Sequence, residues 1–384
     1  MNGRLYRCLI YYGDMELITR PALLTVYGIK TQPKAKTITQ GTKAEFSVVT
    51  TAEPDAYQWQ YSTDGGDTWT NSPSTGNKTD TVSVNAIASM NGRLYRCQVT
   101  FGDTVLTSSA VKLTVQGIKT QPSAKTVITG EKATFKVVTT VSGATYQWQY
   151  STNGGTTWTN SPSTGNKTAT VTVNASTSMN GRLYRCQVTY GDTVLTTNAV
   201  KLTVKGIKTQ PTAQTVVTGE KAVFKVVTTV TGATYQWQYS TNGGSNWINS
   251  PSSGNKTATL TVNASVSMNG RLYRCLVTYG DTVLTSNAVK LNVKGIKTQP
   301  KAATVTAGEK ATFTVVLTVT TGVTYQWQYS TNGGTTWVNS PSSGNKTATV
   351  TVNTNSGMNG RLYRCKITYG DTVLITNAVK LTVK

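Results

Sequence analysis

The 384-residue sequence contains no histidine. That absence removes the side chain used most often for general acid–base catalysis, and a frequent zinc ligand. Carboxylates are scarce as well: 15 Asp and Glu stand against 37 Lys and Arg, a net charge of +22. No pair of acids recurs as glycoside hydrolysis requires. No apolar run is long enough for a membrane-spanning helix, and no charged-then-apolar leader opens the chain. Catalytic, metal and cofactor sites are therefore not expected, and the protein is read as a non-enzyme.

What the chain has instead is repetition. The string MNGRLYRC begins at Met1, Met90, Met179, Met268 and Met358, and GIKTQP begins at Gly28, Gly117, Gly206 and Gly295. A fixed period of this length marks an array of small domains. The expected boundaries are 28–116, 117–205, 206–294 and 295–384. Residues 1–27 match only the last third of a unit, so they are expected to be two strands of a partial domain, poorly packed or paired with another domain. On this reading the sequence is a fragment of something larger, with signal and anchor outside it. The five cysteines, Cys8, Cys97, Cys186, Cys275 and Cys365, fall one to a unit. No disulfide within a domain is possible, and each thiol is expected to act as a small buried hydrophobe.

One unit, residues 117–205, reads as strands throughout. KATFKVV sets Ala133, Phe135 and Val137 against Lys132, Thr134 and Lys136. TATVTVN sets Val171 and Val173 against Thr170 and Thr172, and YQWQYS sets Tyr146, Trp148 and Tyr150 against Gln147 and Gln149. RLYRCQVTY places Tyr184, Cys186, Val188 and Tyr190 on one side, turns at Gly191 and Asp192, and returns through Val200, Leu202 and Val204. This is period-2 alternation with one buried face per sheet. Asn153, Gly154 and Gly155 predict a tight hairpin turn, and Pro162 through Lys167 a longer loop. About seven short strands with turns at these intervals describe a sandwich.

A core tryptophan followed downstream by a Tyr-x-Cys strand resembles an immunoglobulin-like domain. The matching sets are Trp59, Tyr95 and Cys97; Trp148, Tyr184 and Cys186; Trp237, Tyr273 and Cys275; Trp327, Tyr363 and Cys365. Val48, Val137, Val226 and Val315 stand where an antibody domain carries its other cysteine, so valine against thiol replaces the inter-sheet disulfide. The tyrosine matches the corner residue whose hydroxyl ties back to nearby backbone. The disulfide-free core, the YQWQYSTNGGTTW hairpin and the SNAVKLTV ending resemble the bacterial immunoglobulin-like repeats of Gram-positive cell-surface proteins. The fold class expected is all-β, a tandem array of immunoglobulin-like β-sandwiches without inter-sheet disulfides. The resemblance implies extracellular stalks, spacers or adhesive modules at the cell surface or cell wall, and no chemistry.

Several features compete as sites. STDGGDTW, Ser62 to Trp69, fits the Asp-box pattern, with Asn153, Asn242 and Asn332 replacing the aspartate in later units. It is read as a hairpin motif rather than as a hydrolase signature. The second tryptophan of each unit, Trp69, Trp158, Trp247 or Trp337, is the candidate binding residue, as a platform for a sugar ring; packing against the sheet is the preferred reading. Asp103, Asp192, Asp281 and Asp371 are explained by turn chemistry. The arginine pair typified by Arg182 and Arg185 is read as a solvated face. A Lys–Asn isopeptide bond would need a buried Lys, Asn and carboxylate together; Lys132 with Glu131 is next to a turn, and the first unit has Thr42 in the glutamate's place, so none is expected.

The lysines are scattered, without the runs that mark a nucleic-acid arm, so no specific nucleic acid is expected. Anionic polysaccharide or cell-wall polymer is the candidate partner, and a lysine-guarded strand surface the plainer reading. Unit-to-unit spacers such as Lys205-Gly206 are so short that neighbours must nearly touch, the glycine permitting a bend. Four domains in series would make a monomeric rod of about 150 Å. The functions that follow are a non-enzymatic extracellular stalk or spacer, a multivalent adhesive module for glycan or anionic polymer, or an immunoglobulin-like decoration domain of a phage virion.

Overall fold

The computed structural model describes residues 2–384. The chain divides into two compact bodies, residues 1–204 and 205–384. In each body the same β-sandwich occurs twice, and the first body also carries the two strand pairs of residues 4–24.

The sandwich that follows Gly117 shows how sequence becomes sheet. Its larger sheet runs Thr159–Asn160, Thr145–Ser151, Leu183–Tyr190, Val200–Lys205, Lys125–Ile128, with Thr193–Thr196 also pairing Leu183–Tyr190. Opposite it lie two short pairs, Lys132–Lys136 with Thr170–Asn174 and Ile118–Thr120 with Val138–Thr139. The pairing of first and last strands is parallel in the preceding repeat, Leu113 opposite Lys36, while its long strands are antiparallel. Burial alternates as the side chains do: strictly along Lys132–Lys136, and from half-buried to buried along Leu183–Tyr190. The apolar set faces inward and the lysine and threonine set faces water, which is the arrangement of a half-solvated antiparallel sheet.

The inner faces meet around one aromatic nucleus. Phe135 of the small sheet stacks on Tyr184 of the large one at 4.8 Å between centroids and tilts against Trp148 at 6.3 Å. Trp148, Tyr184, Cys186 and Val137 are all buried in this cluster. The indole N–H of Trp148 donates to the Thr168 carbonyl at 3.0 Å, so a large side chain is desolvated without an orphaned donor. The same bond recurs from Trp59, Trp237 and Trp327. Among the described residues no disulfide is formed. Cys97, Cys186, Cys275 and Cys365 are buried free thiols, while Cys8 is exposed.

Where sequence reading had placed a tight hairpin at Asn153–Gly155, the strands Thr145–Ser151 and Thr159–Asn160 are joined by a longer loop. Its side chains hold it from within. Ser151 Oγ donates to Asn153 Oδ1 and accepts the Gly155 N–H, and Asn153 Oδ1 also accepts the Thr157 N–H at 3.0 Å. Gly154 and Gly155 both adopt positive φ, 71° and 95°, which the turn requires of them. The buried Ser151 therefore serves the loop, although it stands among residues of an alternating strand.

Candidate functional site

The second tryptophan of each repeat leaves that loop onto the outer face of the large sheet. Trp69, Trp158, Trp247 and Trp337 are half-buried. A guanidinium covers each ring: Arg96, Arg185, Arg274 and Arg364 lie 4.1 Å from the ring centroids. The indole N–H groups of Trp69, Trp158 and Trp337 donate to the carbonyls of Gly66, Gly155 and Gly334 within their own loops. Arg185 Nε in turn donates to Gln149 Oε1 at 3.0 Å, and Gln149 Nε2 to Asn160 Oδ1 at 3.2 Å. One face of the indole is thus occupied by a cation held in place by an amide ladder, an arrangement worth about 0.5–1 kcal/mol at an exposed position. A sugar ring stacking on that face would first have to displace the arginine.

The first-repeat loop differs in charge. The Asp64 carboxylate accepts Ser62 Oγ and both the N–H and the hydroxyl of Thr68. The side-chain bond from Ser62, followed by those from Thr68, holds it well below the usual carboxylate range. Among the described residues no group of three or more Cys, Asp or Glu is placed to hold a metal ion.

The other sequence candidates resolve into local structure. Asp192 sits exposed in the turn between Leu183–Tyr190 and Thr193–Thr196. Glu131 Oε2 accepts the Ile128 N–H at 2.8 Å and closes a turn, as Glu220 and Glu309 do in later repeats, while Lys132 is exposed; no buried Lys–Glu–Asn group forms there. Arg182 parts company with Arg185: its guanidinium lies 4.8 Å over the Tyr150 ring, with Nε buried and without a hydrogen-bond partner. Burial pushes the Tyr184 hydroxyl up, and the neighbouring Arg182 pulls it the other way. Burial also pushes the Cys186 thiol up to about 12, which leaves it protonated and unreactive at neutral pH.

Sequence reading missed the joint between repeats. Within the first body, Asn91 reaches from one sandwich into the next: its Oδ1 accepts the Val115 N–H at 2.9 Å and its Nδ2 donates to the Thr140 carbonyl at 3.2 Å. Thr140 answers, its hydroxyl donating to the Val115 carbonyl and accepting the Gly117 N–H at 2.8 Å. Asn2, Val26 and Thr51 make the corresponding contacts at residues 2–51. In the second body Asn269, Val293 and Thr318 repeat them. The joining glycines are closely approached rather than flexible. Neither Gly117 nor Gly295 has positive φ, and an added Cβ would meet Gln40 Oε1 at 2.4 Å in the one and Val266 Cγ2 at 2.7 Å in the other. The bend expected at the glycine is replaced by a latch. The only sequence signal for it was the recurrence of Asn in MNGR and of Thr in the stretch after GIKTQP.

No family profile matches the sequence, and no curated protein is similar to it. Among solved structures, the N-terminal four Ig domains of Dscam1 isoform 1.9 align with 93% of this chain and 99% of theirs, at 13% identity and a TM-score of 0.29. Extracellular domains 3–5 of Drosophila OTK align with 70% of this chain and 97% of theirs, at 16% identity and 0.29. An I-band fragment of titin aligns with 70% and 98%, at 17% and 0.29. At these values each is a similar kind of chain and no more. The sheet order, the inter-sheet aromatic nucleus and the unpaired cysteines make this a tandem array of immunoglobulin-like sandwiches without disulfides.

Proposed function

We propose that the chain is a non-enzymatic spacer, a stalk segment of a bacterial cell-surface protein, monomeric and extracellular. The observation that carries this reading is the latch. Asn91–Thr140 in one body and Asn269–Thr318 in the other tie neighbouring sandwiches through charge-neutral hydrogen bonds, with no free linker between them. Such joints transmit position from one repeat to the next, and an array of this kind gains stability from nearest-neighbour contacts as well as from each unit. The outer tryptophans support the same reading, because the arginine over each ring occupies the surface an adhesive platform would offer. The net charge of +22 then acts as a solubility and surface-charge feature that guards strand edges.

The experiment is a binding panel of anionic cell-wall polymers, neutral glycans and nucleic acid, run at low and physiological salt. The spacer reading expects attraction to polyanions that disappears at physiological salt. Saturable binding that survives salt and falls when Trp158 and Trp247 become alanine would replace it with the adhesive reading.

A further inference from the structure

Asparagine is followed by glycine in two kinds of place, and the fold treats them differently. One is the MNGR string, with Asn91–Gly92, Asn180–Gly181, Asn269–Gly270 and Asn359–Gly360. The other is the loop before the second tryptophan, with Asn153–Gly154, Asn242–Gly243 and Asn332–Gly333; the first repeat carries Asp64–Gly65 there. An asparagine before glycine is prone to lose its side-chain amide, because no side chain hinders the glycine nitrogen from reaching Cγ. That nitrogen must give up its proton to attack.

In the MNGR set the nitrogen is occupied. The N–H groups of Gly92, Gly181, Gly270 and Gly360 donate to the carbonyls of Leu113, Leu202, Leu291 and Leu381 at 2.8–2.9 Å. Asn91 and Asn269 are held by their side chains as well, across the joint. In the loop set both residues of each pair are exposed. Among the described residues the N–H groups of Gly154, Gly243 and Gly333 donate to no acceptor, and a Cβ built on any of the three meets nothing within 4 Å, so the peptide has room to turn. The carbon to be attacked is prepared too. Asn153 Oδ1 accepts the Ser151 hydroxyl at 2.9 Å and the Thr157 N–H at 3.0 Å, two donors on the oxygen where charge gathers as Cγ becomes tetrahedral. Asn242 and Asn332 receive the same pair, from Ser240 with Asn246 and from Ser330 with Thr336.

We propose that the loop asparagines are self-modifying sites. The Gly154 nitrogen bonds to Asn153 Cγ, the Cγ–Nδ2 bond breaks, and Nδ2 leaves as ammonia with the glycine's proton. Water then opens the cyclic imide at either carbonyl, giving aspartate or isoaspartate with no other reagent. The first repeat shows the loop holding aspartate: the Asp64 carboxylate accepts Ser62 Oγ and the Thr68 N–H, where Asn153 Oδ1 accepts Ser151 and Thr157. Each conversion lowers the net charge of +22 by one. This inference does not depend on the spacer reading.

The test ages the full chain in mildly alkaline buffer, folded and in urea, and follows the mass gain of amide-to-acid conversion by peptide mass spectrometry. Trypsin cuts after Lys167 and Arg182, so Asn153 and Asn180 fall in separate peptides, and cuts after Lys256 and Lys346 divide the later repeats in the same way. In the folded chain Asn153, Asn242 and Asn332 should convert about tenfold faster, or more, than the MNGR asparagines, which react only through local opening. In urea the gap should close, because both sets then present the same Asn–Gly pair to solvent. Equal rates in the folded chain would overturn the proposal, and so would loop asparagines that stay intact while the urea sample converts. A gap that persists in urea would overturn it as well, by assigning the difference to flanking sequence rather than to the fold.

Discussion

Three glycines in the same six-residue motif should respond differently to one substitution. At Gly28 an alanine Cβ would lie 3.6 Å from the Thr51 side chain, an ordinary contact. At Gly117 it would meet Gln40 Oε1 at 2.4 Å, and at Gly295 it would meet Val266 Cγ2 at 2.7 Å and Thr218 Cβ at 3.4 Å. None of the three has positive φ, so backbone strain does not separate them. Gly28→Ala should be neutral or stabilising by about 0.4–1 kcal/mol through loss of unfolded-state freedom. In Gly117→Ala the flexible end of Gln40 swings away and forfeits the bond it accepts from the Ile118 N–H at 3.0 Å, a cost of about 1 kcal/mol. Val266 is branched and has no such escape, so Gly295→Ala should cost about 1–3 kcal/mol. A chain of several domains does not unfold in two states, so local opening is the better observable than a global midpoint. Hydrogen exchange should leave Thr51 N–H as protected as before. Ile118 N–H should lose roughly fivefold in protection and Thr318 N–H, which donates to the Gly295 carbonyl, as much or more. Equal losses at all three joints would refute the close-approach argument and restore the glycine as a hinge.

The two tryptophans of a repeat should separate in the same way: Trp148→Ala removes a fully buried indole and should cost about 3–5 kcal/mol. Trp158→Ala, which loses mainly the contact with Arg185, should cost about 1 kcal/mol, both read from hydrogen exchange of the core strand amides of that repeat. The core thiols are held at about 12 against an ordinary 9.0, so the folded repeat binds the proton more tightly than the unfolded chain. The stability this confers is complete below pH 9 and is lost as pH rises towards 12, at most about 4 kcal/mol per repeat. The urea transition of a single isolated repeat, residues 117–205, should move to lower urea across that window, and less steeply when Cys186 is alanine; the buried Tyr184 accounts for the remaining slope. Asp64 is lowered, so its support of the first loop is present above the ordinary carboxylate value and is lost only well below it. Exchange of the Thr68 N–H should be unaffected by mild acid, and Asp64→Asn should make that loop indifferent to pH like its counterparts at Asn153 and Asn332.

The sandwich was legible because its information is local. Alternation along Lys132–Lys136 and Leu183–Tyr190 names the buried face of each strand directly, and a cysteine with no partner in its unit can form no disulfide within that unit. What stayed illegible depends on residues distant in sequence or on side chains that override the pattern. The Asn91–Thr140 contact spans 49 positions and crosses a repeat boundary, so neither residue looks unusual in its own segment. The covering of Trp158 depends on Arg185, whose position is fixed by an amide on another strand 36 residues away. Ser151 reads as one more strand residue until its hydroxyl is seen to organise the following turn.

The absence of an inter-sheet cross-tie sets what happens when such a chain is pulled from its ends. With only hydrogen bonds and packing joining Val137 to Cys186 across the core, nothing covalent interrupts the contour between the first and last strands of a sandwich. An opened repeat of 89 residues would pay out about 300 Å of chain at roughly 3.3–3.6 Å per residue. On release it could close again without an oxidant or a choice of thiol partners, so each sandwich is a reversible length reserve placed in series with its neighbours.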